Sequence, residues 1–193
     1  QEEMGMNKQI LRLALAALLV FLAGCTTTGP GSGDPDLGRR NIDASVDSAL
    51  SELFRQVEGS QQLVEQARGV LVFPAVLRAG FIVGASRGQG ALRVGGETQS
   101  YHATTSGSFG WQAGAQSTAV FLLFMTDQAL ARFQDSRGWT VGADASVTLL
   151  SVGAAAQVTT ATAQQPVVGF VLVNSGLMAG ISLDGTRITQ LNL

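Results

Sequence analysis

The chain has 193 residues with 24 glycines, 13% charged and 6% aromatic residues, which suits one domain of closely spaced strands and turns plus a leader, not a long-helix protein. Its net charge is −2, and outside the leader ten arginines stand against twelve acids with no basic stripe, so nucleic-acid binding lacks an electrostatic footing. Cys25 is the only cysteine, which excludes an internal disulfide.

The first element is a leader. Met6-Asn-Lys8 and Arg12 form a short positive region, Leu13 to Leu22 an apolar run, and Leu22-Ala-Gly-Cys25 places small residues before the cysteine. The apolar run is too short for a comfortable membrane span and suits a secretory leader. The pattern resembles a bacterial lipoprotein signal with its lipobox. That resemblance implies diacylglyceryl transfer to the Cys25 sulfur, cleavage after Gly24 and acylation of the new amino group. Several acyl chains would anchor the chain stably, where one would be marginal. Thr26 follows the cysteine where an aspartate would retain the protein at the inner membrane, so the outer membrane is expected. Met6 reads as the start codon's residue, with Gln1 to Gly5 upstream of it. Residues 1–24 are thus expected to be a cleaved signal peptide. The stretch 25–41, rich in Thr, Gly, Ser, Pro and Asp, is a lipidated cysteine and flexible tether, and 42–193 is the folded domain.

Asn41 or Asp43 can cap a helix in which Val46, Leu50, Leu53, Phe54 and Val57 make one apolar stripe. Gly59-Ser60 ends it and starts a second short helix with Leu63, Val64 and Ala67 inward, stopped by Gly69. The polar face carries Asp43, Asp47, Glu52 and Glu58 against Arg55. Interfacial helices that seek anionic lipid are rich in Lys and Arg, so this helix is expected to pack on the sheet.

Val70 to Phe73 is a continuous apolar run, expected to be a strand covered on both faces, and Pro74 marks its end or a bulge. Phe81 to Ser86 alternates and is expected to stop at Gly88 and Gly90. Ala91–Val94, Thr98–Ala103 and Ser108–Gln116 follow, with Gly95-Gly96 a tight turn between the first two. Thr118 to Met125 should be buried on both faces. Asp127 is expected to cap a short helix over 128–134 with Leu130 and Phe133 inward. Trp139–Leu150, Val152–Thr160, Val167–Val173, Gly176–Leu183 and Arg187–Leu191 complete the strands, with Asp184-Gly185 a hairpin signal. The expected fold is α+β: a mostly antiparallel, curled sheet of about ten strands, barrel-like or sandwich-like. Short N-terminal helices and one helix inserted between strands accompany it.

The order Arg68-Gly-Val-Leu-Val-Phe-Pro74, Arg78-Ala-Gly-Phe81 and Gly84 resembles the SYLF domain. So do Tyr101, Gly110-Trp-Gln-Ala-Gly114, Phe124-Met125, Ala129-Leu130, Phe133 and Gly138-Trp139 further along. Gly142-Ala-Asp144, Gly176-Leu-Met-Ala-Gly180, Ser182-Leu183 and Gly185-Thr-Arg187 continue the series, so the resemblance spans Asp43 to Leu193. The domain occurs in lipid- and actin-associated eukaryotic proteins and in bacterial exported proteins. The resemblance implies lipid binding, and Arg78 and Arg187 fall on landmark basic positions of the family.

Catalytic and metal signatures are weak. Gly84-Ala-Ser-Arg-Gly88 fits G-x-S-x-G, but that motif needs a strand, an elbow and a helix, and more strand follows here. The sole histidine, His102, precedes every aspartate downstream of Ser86, which breaks the order of such a triad. One histidine and one lipid-committed cysteine cannot build a structural zinc site. Asp144 reads as a carboxylate bound to backbone or paired with arginine. Gly88-Gln-Gly90 lacks the later glycine and the βαβ unit of a dinucleotide site, so no cofactor is expected. Arg78, Arg87, Arg93 and Arg187 remain as candidates for a lipid headgroup, because a guanidinium grips phosphate in a bidentate fork.

These observations lead to an expected non-enzymatic, outer-membrane-anchored lipoprotein. Its partners are the membrane, through acylated Cys25, and phospholipid. An envelope structural or protein-interaction module without a lipid site is the alternative. A small transmembrane barrel is the third reading, weakened by short strands and the lack of aromatic girdles.

Overall fold

The computed structural model describes residues 34–80, 83–109, 114–150, 164–173, 176–177 and 183–193. The leader, Cys25, the tether to Gly33 and the strand expected over 152–160 lie outside the described residues. Residues Pro35–Leu193 form a compact unit of their own.

Helix α1, Pro35–Gln56, begins inside the stretch expected to be tether. Pro35 at the first helical position has φ preset and lacks an N–H that would go unpaired there, and Asp36 favours the positive end of the helix dipole. The apolar stripe lies farther along: Val46 and Leu53 are fully buried and Val57 nearly so. Gly59, with φ of 77°, turns the chain into α2, Ser60–Gln66, whose Leu63 is fully buried.

Four long strands follow: β1 (Gly69–Gly80), β2 (Val83–Val94), β3 (Glu97–Phe109) and β4 (Gly114–Phe124). They are 11 to 13 residues long, longer than expected. Gly88 and Gly90 do not stop β2. A Cβ on Gly90 would lie 1.9 Å from the Val72 carbonyl oxygen and 2.8 Å from the Phe73 ring. These glycines permit close approach of β2 to β1, the second use of a strand glycine besides a turn. Gly95 and Gly96, with φ of 61° and 88°, make the expected tight hairpin between β2 and β3.

Helix α3, Asp127–Gln134, is capped by Thr126, whose Oγ1 accepts from the Ala129 N–H at 3.2 Å; Asp127 itself pairs with Arg68 across the surface. Leu130 and Phe133 point inward as expected. The strand expected over Trp139–Leu150 is broken into β5 (Trp139–Thr140) and β6 (Thr148–Leu150). Gly142 takes φ of 87°, and Asp144 accepts from the Thr140 N–H at 2.6 Å, closing a turn. The last described strands are β7 (Val167–Val173), β8 (Gly176–Leu177) and β9 (Arg187–Leu191).

The sheet order is β5-β9-β3-β2-β1-β4-β7-β6, with β8 paired beside β7. The count of about ten strands is therefore corrected: among the described residues eight lie on one path, with β8 beside β7, and the long hairpin arms absorb pieces that read as separate strands. The sheet is mixed, because β6 pairs parallel to β7 while its other pairings are antiparallel.

Alternate residues of β1 and β4 feed two cores. On one face Val70, Val72, Phe121 and Leu123 pack with Val46, Leu53 and Leu63 under the helices. On the other, Leu71, Phe73, Leu122 and Phe124 pack with Phe133, Trp139 and Ile188. In the sheet order β9 and β7 are five strands apart, about 24 Å if the sheet were flat. Yet Ile188 of β9 and Val171 of β7 line one cavity. The sheet therefore curls into a half-barrel whose concave face is the second core.

Among the described residues no helix is long and apolar enough to cross a membrane.

Candidate functional site

A one-residue irregularity in β1 decides which side chains face where. The register with both neighbours shifts between Val72 or Phe73 and Ala75 or Val76, around Pro74. Proline cannot donate to a ladder and is tolerated at such a bulge. Without the extra residue, Phe73, Ala75 and Leu77 would share the concave face. With it, Phe73, Val76 and Arg78 line the concavity, and Leu77 points out, 63% exposed.

The outward row is continuous across the sheet. Ser117 of β4 pairs with Leu77, Leu77 with Arg87, Arg87 with Thr105 and Thr105 with Arg187. Paired residues share a face, so Leu77, Arg87 and Arg187 stand on one row, with Leu77 three strands from Arg187, about 14 Å along the sheet at a spacing of roughly 4.8 Å. Arg187 lays its guanidinium over Gly138, where a Cβ would meet Nη2 at 2.8 Å. Among the described residues neither Arg87 nor Arg187 has a carboxylate within ion-pair distance. Ala85 and Gly107, exposed on the next row, add no bulky side chain beside it.

Arg93 is placed differently. Its Nη2 donates to Asp47 Oδ1 at 2.8 Å and lies 3.5 Å from Asp43 Oδ1, beneath α1. Asp43 also accepts from Tyr101 OH at 2.8 Å and from Thr98 Oγ1 at 2.7 Å. Burial, then the bond to Asp43 and its charge, raise the Tyr101 pKa above 10. This network fastens the middle of α1 to β2 and β3. Sequence reasoning missed it and assigned Asp43 and Asp47 to a solvated face. The available signal was two carboxylates at i and i+4 on either side of buried Val46.

So the four candidate arginines divide: Arg87 and Arg187 share the outer row, Arg78 faces the concavity, and Arg93 is committed to α1. Cys25 lies outside the described residues. Ser86, the serine of the G-x-S-x-G match, sits within β2, 6% exposed, its Oγ 2.6 Å from Ser106 Oγ. His102 is buried against Phe133, with Nε2 2.8 Å from Ser100 Oγ, and burial lowers its pKa to about 4. Among the described residues no three His, Cys, Asp or Glu side chains group as metal ligands.

The SYLF landmarks near the C-terminus converge on one junction. The Val141 N–H donates to Thr186 O and the Gly185 N–H to Val141 O, while a Cβ on Gly142 would meet Asp184 Oδ1 at 2.7 Å. They hold β5 beside β9 at the end of the half-barrel. No curated protein matches the chain. Residues 105–192 match the family described as Ysc84: Las17-binding protein actin regulator. That match agrees with the SYLF resemblance carried by the landmarks within it.

Proposed function

We propose that the chain is an outer-membrane lipoprotein, anchored through acylated Cys25, whose SYLF domain rests its outer β-face on phospholipid headgroups and performs no catalysis. The observation that supports this reading is the row Leu77, Arg87, Arg187: exposed, cationic, and with neither arginine in ion-pair distance of a carboxylate among the described residues. A basic residue near an anionic surface contributes about 1 kcal/mol, so the two arginines give about 2 kcal/mol, roughly 30-fold. That gives a free protein weak binding, measurable at high vesicle concentration, and is ample for a tethered one. From Cys25 to Pro35 the chain spans at most about 35 Å, which keeps the domain at high effective concentration over the bilayer. The actin-regulating role in the family's description is not carried to this chain, whose leader pattern directs it to a bacterial envelope.

The test is flotation of the chain from residue 26 with vesicles of phosphatidylglycerol or of phosphatidylcholine. Binding to the anionic vesicles, falling several-fold at 0.5 M salt and in the double variant Arg87→Glu/Arg187→Glu, is the expected result. Equal flotation of wild type and double variant rejects this face. No flotation with either vesicle moves the function to a protein-interaction module whose membrane contact is the acyl anchor alone.

A further inference from the structure

We infer that the concave side of the half-barrel carries an oxyanion site built on Arg78, separate from the outer face. The bulge at Pro74 turns a leucine to solvent and an arginine toward the core, the reverse of what hydrophobic sorting favours. Bulges that re-aim a side chain recur at binding and active sites. Arg78 is half-buried, and among the described residues it has no carboxylate partner.

Its surroundings are donors. Ser86 is directly opposite Arg78 across the strand pair, and Ser106 is opposite Ser86. Their mutual bond at 2.6 Å uses one hydroxyl proton and leaves the other. Thr104, 2% exposed, and Thr118, 9% exposed, face the same cavity. No aspartate or glutamate lines the cavity among the described residues, whose deeper wall is Val120, Leu122 and Ile188. Valine would fill the space of either threonine against such a wall without burying a hydroxyl. A guanidinium fork and several hydroxyl donors with no carboxylate match a tetrahedral oxyanion of the phosphate type.

The cavity fixes how much of the ligand enters. Its volume is about 20 Å³, room for one water or one oxygen. One phosphate oxygen therefore points in toward the hydroxyls, two meet the Arg78 fork at the mouth, and any substituent stays outside. A lipid headgroup phosphate and free phosphate both satisfy this.

The site is tested on the full-length acylated chain in neutral detergent micelles and phosphate-free buffer. One arm titrates inorganic phosphate by calorimetry; the other adds phosphatidic acid to the micelles, with phosphatidylcholine as control. Saturable binding in at least one arm is expected. Arg78→Gln should weaken it roughly tenfold or more, and Arg78→Lys less, because the charge remains and the fork does not. Binding in the phosphate arm assigns a free anion, and binding only with phosphatidic acid assigns a headgroup. Circular dichroism checks that the variants fold, and Ser86→Ala/Ser106→Ala, at one buried and one half-buried position, gives a second reading through the hydroxyls. Binding in neither arm, or binding that Arg78→Gln and the serine double variant leave unchanged, overturns the inference. Arg87→Glu/Arg187→Glu keeps phosphate binding here, so failure of the outer-face reading and failure of this one are distinguishable.

Discussion

Replacing Asp43 by alanine should loosen the middle of α1 from the sheet. The carboxylate accepts from Tyr101 OH at 2.8 Å and Thr98 Oγ1 at 2.7 Å, and sits 3.5 Å from the Arg93 guanidinium. Hydrogen bonds to a charged group contribute about 1.5–3 kcal/mol each when buried. Asp43 is 32% exposed, so water replaces part of this, and Asp47 keeps its 2.8 Å contact to Arg93 after the change. The expected cost is about 2–3 kcal/mol, a fall in Tm of roughly 4–10 °C for a domain of this size. Urea unfolding of the chain from residue 26 should show a lower midpoint at unchanged slope. Tyr101→Phe alone should cost about 1 kcal/mol, and the double variant should fall short of additivity by a similar amount. The raised Tyr101 pKa adds a pH signature. The folded state holds this proton more tightly than the unfolded chain, so its contribution is complete below pH 10 and is lost as pH rises beyond it. Tyr101→Phe should abolish that alkaline limb. A cost for Asp43→Ala under about 0.5 kcal/mol, or strict additivity with Tyr101→Phe, would refute the fastening role.

His102 predicts the opposite limb. Its folded pKa of about 4 lies below the ordinary 6.5, so stability is complete above pH 6.5 and falls as pH drops toward 4, by about 3 kcal/mol at the limit. Measured unfolding midpoints at pH 7 and pH 4.5 should differ accordingly in wild type, and His102→Leu should flatten its share of the difference. Gly90→Ala would place a Cβ 1.9 Å from the Val72 carbonyl oxygen, and because backbone cannot yield as a side-chain tip does, a loss of about 3 kcal/mol or more is expected in the same urea assay. Thr126→Ala removes the cap of α3 and should cost about 1 kcal/mol, while Asp127→Ala, exposed and only ion-paired to Arg68, should cost less than half of that.

Legibility in the sequence followed the range of the interaction that decides each feature. Val70–Phe73 and Thr118–Met125 read as strands covered on both faces because a continuous apolar run has no exposed face to offer, and both run between the two cores. Gly95-Gly96 read as a turn because two positive φ angles are a local demand. Gly88 and Gly90 were misread as stops, since the same residue serves a turn and a close strand contact, and the difference lies in β1, some fifteen residues earlier. Trp139–Leu150 read as one strand although Gly142 carried the break, because Asp144 closing on the Thr140 N–H is invisible to alternation. The candidate arginines were named by residue type alone, and only the register separates them.

That register also explains why the outer and inner surfaces should be treated as one design consequence. Period-two counting from Phe73 puts Leu77 inside and Arg78 outside, and any reading that omits the bulge inherits both errors together. With the bulge, the same shift delivers Leu77 to the row of Arg87 and Arg187 and Arg78 to the hydroxyl-lined cavity. The bulge is in turn held by what surrounds it. Pro74 removes a donor that the irregular ladder could not satisfy, and Gly90 leaves the space into which the Val72 carbonyl protrudes. A leucine exposed and an arginine turned inward are both unfavourable for folding alone, so a fold under no other demand would lose this bulge. Its place in the sheet centre, flanked by β2 on one side and β4 on the other, fits the two proposals, in which each displaced side chain has a ligand to meet.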